Sequence, residues 1–215
     1  MMFHISIFFI IEVIGTIAFA SSGAMVAIKK QLDLLGVIVL GVTTAVGGGM
    51  LRDIILGNTP PSLFTHPVYV MAAFLTVILL FIVVRMNQRI LESSYIATYE
   101  KMMNIFDAIG LAAFTVTGID TAVLAGYGDY HFLSVFLGVL TGVGGGVLRD
   151  IMAGQAPYIL RKHVYASASI AGAVCYVFLA DWLTGDASMI ISALLVILIR
   201  LLATRYCWNL PTAIE

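Results

Sequence analysis

Apolar residues fill this chain in long blocks separated by short polar punctuation, with no run of strict alternation and no extended polar face. The blocks cover about residues 5–28, 34–56, 67–84, 103–125, 132–152, 164–179 and 187–203. Each approaches the ~20 residues a helix needs to cross ~30 Å of hydrocarbon, and each ends at a charged or turn-rich stretch. Lys29-Lys30-Gln31-Leu32-Asp33 closes the first block, Gly57-Asn58-Thr59-Pro60-Pro61 the second and Gly126-Tyr127-Gly128-Asp129-Tyr130-His131 the fourth. The longest polar stretch, residues 85–101, divides the chain into halves. The pattern predicts an all-α integral membrane protein of seven transmembrane helices.

The halves resemble each other. Gly47-Gly48-Gly49-Met50-Leu51-Arg52-Asp53-Ile54-Ile55-Leu56-Gly57-Asn58-Thr59-Pro60 returns 97 positions later as Gly144-Gly145-Gly146-Val147-Leu148-Arg149-Asp150-Ile151-Met152-Ala153-Gly154-Gln155-Ala156-Pro157, with nine of fourteen positions identical. Glu12 to Phe19 aligns with Asp107 to Phe114 at an offset of 95, and Gly23 with Gly118. Gly41, Thr44 and His66 pair with Gly138, Thr141 and His163 at an offset of 97. Apolar composition alone does not repeat glycine, Arg-Asp and proline at fixed spacings, so the chain carries an internal duplication. It divides into a first three-helix repeat (1–86), a second (103–181) and a seventh helix (187–204) without a counterpart. A repeat with an odd number of spans is followed by a copy of opposite orientation, so the two are expected to be inverted, an arrangement typical of transport proteins whose sites lie between repeats.

Composition agrees. Of 215 residues 61% are hydrophobic and 11% charged, where soluble domains carry about 25% charged; mean hydropathy is +1.05. The lipid bilayer is therefore the expected surroundings. A net charge of −1 offers nothing to nucleic acid. Cys175 and Cys207 are far apart without metal-ligand spacing, so buried thiols are expected rather than a disulfide. Ala18-Phe19-Ala20 resembles a signal-peptidase site, but no Lys or Arg precedes the apolar run and the segment shares in the duplication, so it is expected to stay as the first span. With the N-terminus outside, Lys29, Lys30, Arg85, Arg89, Lys101, Arg149, Arg161, Lys162, Arg200 and Arg205 fall on the inner side and only Arg52 on the outer. That bias predicts a cytoplasmic C-terminus in a cell (inner) membrane.

Candidate chemistry concentrates in the duplicated motif. Three glycines inside a helix cost ~1 kcal/mol each relative to alanine, so Gly47, Gly48 and Gly49, and Gly144, Gly145 and Gly146, predict kinked or broken helices facing an interior path. Carbonyls at the end of a half-helix, with the hydroxyl of Thr44 or Thr141 just before it, suit a dehydrating monovalent cation. The competing reading is close helix packing through small residues. Arg52-Asp53 and Arg149-Asp150 are sequence neighbours, expected to point apart on a helix and find partners elsewhere, as path-lining groups, gate latches or interface anchors. Glu12 and Asp107 are matched carboxylates inside apolar runs, and Asp120 aligns with Met25, so it has no acidic partner. Buried ionisable groups in a membrane are functional candidates because they are costly. His66 and His163 read as interface residues. The motif lacks the Gly-Lys-Ser/Thr ending of a phosphate loop, and no Ser/His/Asp or Cys/His set supports an enzyme.

Two copies of Gly-Gly-Gly-x-Leu-Arg-Asp, each in a three-span repeat and followed by a seventh span, resemble the prokaryotic trimeric intracellular cation (TRIC) channels over about residues 12–203. The resemblance implies a homotrimer with a pore in each subunit, passing K⁺ and less selectively Na⁺, with no cofactor or fixed metal. It also maps the family's kinked second and fifth helices onto the two glycine triplets. Because bacterial relatives have been labelled glycine transporters, an alternating-access carrier for a small amino acid is the rival expectation; a purely structural role is the third. Alanine in place of both triplets is expected to abolish either activity and leave assembly intact.

Overall fold

The computed structural model describes residues 6–87, 95–161 and 164–208. The described residues form helices joined by short turns and contain no strand. Helix α1 spans Ile7–Lys29, α2 Leu34–Ile55, the single turn α3 Ser62–Thr65, α4 Val68–Met86, α5 Ile96–Ala122, α6 His131–Met152, the turn α7 Tyr158–Arg161, α8 Ala166–Ala180 and α9 Gly185–Arg205. Helices α1, α2, α4, α6 and α9, and α5 counted with its last turn, are long and apolar enough to cross a membrane, which makes six among the described residues. Helix α8 is an apolar helix of 15 residues, about 22 Å at 1.5 Å per residue, shorter than the span expected at 164–179. Helix α5 begins at Ile96, inside the polar stretch read as a boundary, and so extends the block expected from 103. Arg89, Lys162 and His163 lie outside the described residues.

Local chemistry sets several of the helix ends. Ser6 Oγ accepts from the amide of Phe9 (3.2 Å) and Asp33 Oδ1 from that of Gly36 (2.7 Å), capping α1 and α2; Thr184 caps α9 in the same way. Such caps satisfy amides that the first helical turn leaves without a partner. Helix α5 closes in a wider π-type turn, Val123–Tyr127, where Gly126 takes a φ of 89° open to glycine without strain.

Helices α1, α2, α5 and α6 form the centre: α1 packs on α2 and α5, and α6 on α2 and α5. Helix α4 lies on α1 and α2 at one flank, and α8 lies on α5 and α6 at the other, with α9 against α5 and α8. In a bilayer the hydrophobic effect does not drive helices together, so close van der Waals fit must, and here the fit is duplicated. A Cβ on Gly110 would run into the ring of Phe19, while one on Gly15 would meet Phe114 at 3.4 Å and Ala113 Cβ at 2.7 Å. The two rings meet at a centroid distance of 5.3 Å. Gly23 leaves room for Thr44 as Gly118 does for Thr141. Leu75 and Leu79 on α4 and Leu194 and Leu198 on α9 are each more than half exposed. These outward faces require a solvent other than water, and the molecule is a membrane protein.

Candidate functional site

The glycine triplets do not break their helices. Both α2 and α6 run as α-helix through Gly47–Gly49 and Gly144–Gly146, so the expected half-helix ends are not formed. The glycines serve a crossing instead. A Cβ on Gly48 would fall on the carbonyl oxygen of Thr141, and one on Gly145 on that of Thr44. Contact of i with j matched by j with i is what a two-fold relation produces. At this crossing the backbones of α2 and α6 touch, and helix-interior glycine is repaid by the approach it permits. The hydroxyls of Thr44 and Thr141 turn back along their own helices, donating to Leu40 O and Leu137 O at 2.6 Å each.

Just past the crossing, the Arg-Asp pairs are buried, and here too the expectation is corrected. Arg52 Nε donates to Asp53 Oδ1 at 2.9 Å, and Arg149 Nε to Asp150 Oδ1 at 2.9 Å. Long side chains reach around the helix, which Cβ directions alone do not anticipate. Each aspartate uses its remaining lone pairs on the following loop. Asp53 Oδ2 accepts from the amide and hydroxyl of Ser62 (2.8 and 2.5 Å), at the start of α3. Asp150 accepts from the amide of Tyr158 (2.7 Å), at the start of α7, and from Gln155 (3.1 Å). The repeated Arg-Asp is thus a device that folds the repeated Gly/Pro loop back onto its helix.

The arginines then reach the matched carboxylates. Arg149 Nη1 donates to Asp107 Oδ1 (2.5 Å) and to Ser22 Oγ on α1 (2.6 Å), tying the second half to the first. Arg200 of α9 adds a second guanidinium, Nη2 at 3.9 Å from Asp107 Oδ2, while its Nη1 donates to Val164 O. Tyr158 lies under Arg149 and Tyr165 under Arg200, at 5.3 and 4.7 Å from ring centroid to guanidinium. Burial raises the phenol pKa of Tyr158, and the charge of Arg149 opposes it. Arg52, Arg149 and Arg200 are each at most 4% exposed. They are therefore internal partners, not the loop charges counted for orientation.

In the first-half cluster the arginine stands farther from its matched carboxylate. Arg52 Nη1 stands 3.7 Å from Glu12 Oε1, beyond hydrogen-bond length, and has no hydrogen-bond partner among the described residues. Beside it is a cavity of about 40 Å³ lined by Glu12, Thr16, Gly49, Arg52, Ser62 and Tyr69, among others. Asp120 stands apart from both clusters and accepts from the Tyr176 hydroxyl at 2.8 Å. His66 is exposed beside Thr65. Cys175 and Cys207 are free thiols, partly buried and exposed respectively. Among the described residues no group of three His, Cys, Asp or Glu side chains is placed to hold a metal ion.

Arg200, Tyr158, Tyr165, Ser22, Ser62 and Tyr69 were not foreseen as site residues. A signal existed for Arg200, an ionisable residue inside the apolar run of the last helix. None existed for the tyrosines, which only tertiary packing brings in.

Six apolar spans among the described residues, a duplicated small-residue crossing and paired buried charge clusters define an integral membrane protein with a charged interior. The chain belongs to the family described as "Glycine transporter", whose model matches residues 9–85 and 104–181. It is 38% identical to a UPF0126 membrane protein of Deinococcus radiodurans, over 94% of this chain and 89% of the relative. With the UPF0126 inner membrane protein YadS of Escherichia coli K12 it shares 36% identity over 94% of both. Among solved structures it resembles TRIC channels. A structure from work on conductance through TRIC cation channels has 37% identity and a TM-score of 0.81, covering 96% of this chain and 97% of that one. A prokaryotic TRIC channel crystallised in 0.5 M KCl has 31% identity and a TM-score of 0.84, covering 95% and 98%. The TRIC trimeric intracellular cation channel orthologue of Rhodobacter sphaeroides has 31% identity and a TM-score of 0.82, covering 94% and 98%. The chain has the TRIC channel fold, and these neighbours support a cation channel.

Proposed function

We propose that the protein is a monovalent-cation channel, passing K⁺ and less selectively Na⁺ along a separate path in each subunit of a homotrimer. The observation that carries this is the similarity to solved TRIC channels along nearly the whole chain at 31–37% identity. In this reading α8 is a short sixth span and α9 the seventh, and the repeats are inverted in the bilayer. The N-terminus is outside and the C-terminus is in the cytoplasm of a cell whose inner membrane holds the trimer.

Inversion sets Glu12, Arg52 and Asp53 toward the outer face and Asp107, Arg149 and Asp150 toward the inner one. The path between them passes the α2–α6 crossing. Gly47, Gly48, Gly144 and Gly145 keep that crossing closed, and conduction requires α2 and α6 to shift so that Thr44 and Thr141 and their carbonyls face the ion. Asp120, near the outer end of α5, adds negative potential at the mouth.

Planar-bilayer recording of the purified protein in asymmetric KCl tests the reading, with glycine added afterwards. Discrete currents reversing near the potassium potential and indifferent to glycine are expected. The carrier reading draws on one observation: Glu12 and Arg52 present opposite charges to one cavity, as the ends of a zwitterion would require. A silent bilayer together with saturable glycine uptake in proteoliposomes would replace the channel by that carrier.

A further inference from the structure

The duplicated clusters differ by one positive charge. At Asp107 two carboxylates (Asp107, Asp150) meet two guanidiniums (Arg149, Arg200). At Glu12 two carboxylates (Glu12, Asp53) meet one guanidinium among the described residues, that of Arg52. The extra cation at Asp107 comes from α9, the helix without a counterpart in the first half. Net charge inside a low-dielectric interior is costly unless something compensates it.

The space around the two clusters differs in the same sense. A Cβ on Gly146 would meet the Tyr165 hydroxyl at 2.8 Å, so this phenol, under Arg200, fills the second half's pocket. A Cβ on the matching Gly49 would meet nothing nearer than its own Arg52 Nη2, at 3.8 Å, and this glycine lines the cavity beside Glu12. About 10–15 Å³ of such space holds one water, so 40 Å³ accommodates a potassium-sized ion with a water or two. Glu12, Thr16, Ser62 and Tyr69 line it, and their side chains carry oxygens, hard donors of the kind alkali ions take. Arg52, 4% exposed and with its Nη1 lacking a hydrogen-bond partner among the described residues, lines the same cavity, where water carried by the ion would accept from it. With Glu12 and Asp53 ionised against Arg52, one monovalent ion would balance the remaining charge.

We propose that the cavity beside Glu12 binds one monovalent cation from solution, and that Arg200 is the covalently tethered counterpart of that cation at Asp107. Only one of the two duplicated clusters is then an ion site. This rests on the cation-channel reading for its role in conduction, but binding itself is measured without flux.

Equilibrium dialysis of the purified full-length protein in detergent against radioactive rubidium reads the stoichiometry. One ion per subunit is expected, with none for Glu12→Gln. For Arg200→Gln, checked as folded by gel filtration, two are expected. If Arg200→Gln does not fold, the native protein still decides. Two ions per subunit would overturn the tether, and none would overturn the site, leaving Glu12 balanced by a proton. Retention of the ion by Glu12→Gln would also overturn the site. The same preparations in bilayers separate this from the channel reading: currents without bound rubidium refute only the site, whereas bound rubidium with silent bilayers refutes only the channel.

Discussion

The carbonyl oxygen of Thr141 occupies the position that a Cβ on residue 48 would need, and the carbonyl of Thr44 does the same to residue 145. Backbone cannot swing aside as a side-chain tip can, so a methyl group at either position forces α2 and α6 apart. Overpacking of this kind costs about 1–3 kcal/mol. Gly48→Ala and Gly145→Ala should each lower the melting temperature in detergent and together disrupt folding. Gly49→Ala, whose methyl meets only Arg52 Nη2 at 3.8 Å, should leave it nearly unchanged. The expectation that triple-alanine replacement spares assembly is therefore reversed. Equal melting of Gly48→Ala and Gly49→Ala would remove the crossing from the account.

Arg149 is 1% exposed and bonds Asp107, Asp150 and Ser22 at once. Removing one partner of a buried ion pair leaves an uncompensated charge and costs about 3–5 kcal/mol, whereas replacing both with apolar groups is often close to neutral. Arg149→Met should therefore unfold the protein or lower its melting point sharply, and Arg149→Met with Asp107→Leu should recover part of the loss. A double variant as unstable as the sum of the singles would mean that the contacts to Asp150 and Ser22, not the pair with Asp107, carry the cost.

Asp53 and Asp150 each anchor a loop through the amide at the start of α3 or α7. Hydrogen bonds to a charged group contribute about 1.5–3 kcal/mol. Asp53→Asn should speed hydrogen exchange at Ser62 without changing exchange in α6, and Asp150→Asn should do so at Tyr158 without changing α2. Exchange that rises uniformly across the molecule in either variant would point to global destabilisation instead of loop release.

Much of this architecture is written in the sequence as repetition. Matched positions such as Gly23 and Gly118, or Arg52 and Arg149, hold matched places because a duplicated chain packs by the same small residues twice. What the sequence hid was the sense of the glycines. Helix propensity reads Gly47 to Gly49 as a break, but in a bilayer a close crossing offsets the penalty, and nothing local distinguishes the two. The bond from Arg52 to Asp53 was hidden by side-chain length, since neighbours diverge only at Cβ. The asymmetry of the clusters was hidden because Arg200, Tyr158 and Tyr165 are far from Asp107 in the chain and come to it only through α7, α8 and α9.

Phe19 and Gly110 fit so closely that a Cβ at 110 would strike the ring, which also meets Phe114 at 5.3 Å. Phe19→Ala should cost about 3–5 kcal/mol, through lost contacts and the cavity left between α1 and α5. Gly110→Ala should cost about 1–3 kcal/mol by overpacking. In the double variant the new methyl enters space the ring has vacated, so the two effects are expected to fall short of their sum, by the 0.5 kcal/mol or more that contacting residues show. Thermal unfolding of the four proteins in one detergent measures this coupling. Strict additivity would mean that α1 and α5 separate when the ring is lost, and that Phe19 is not what sets their distance.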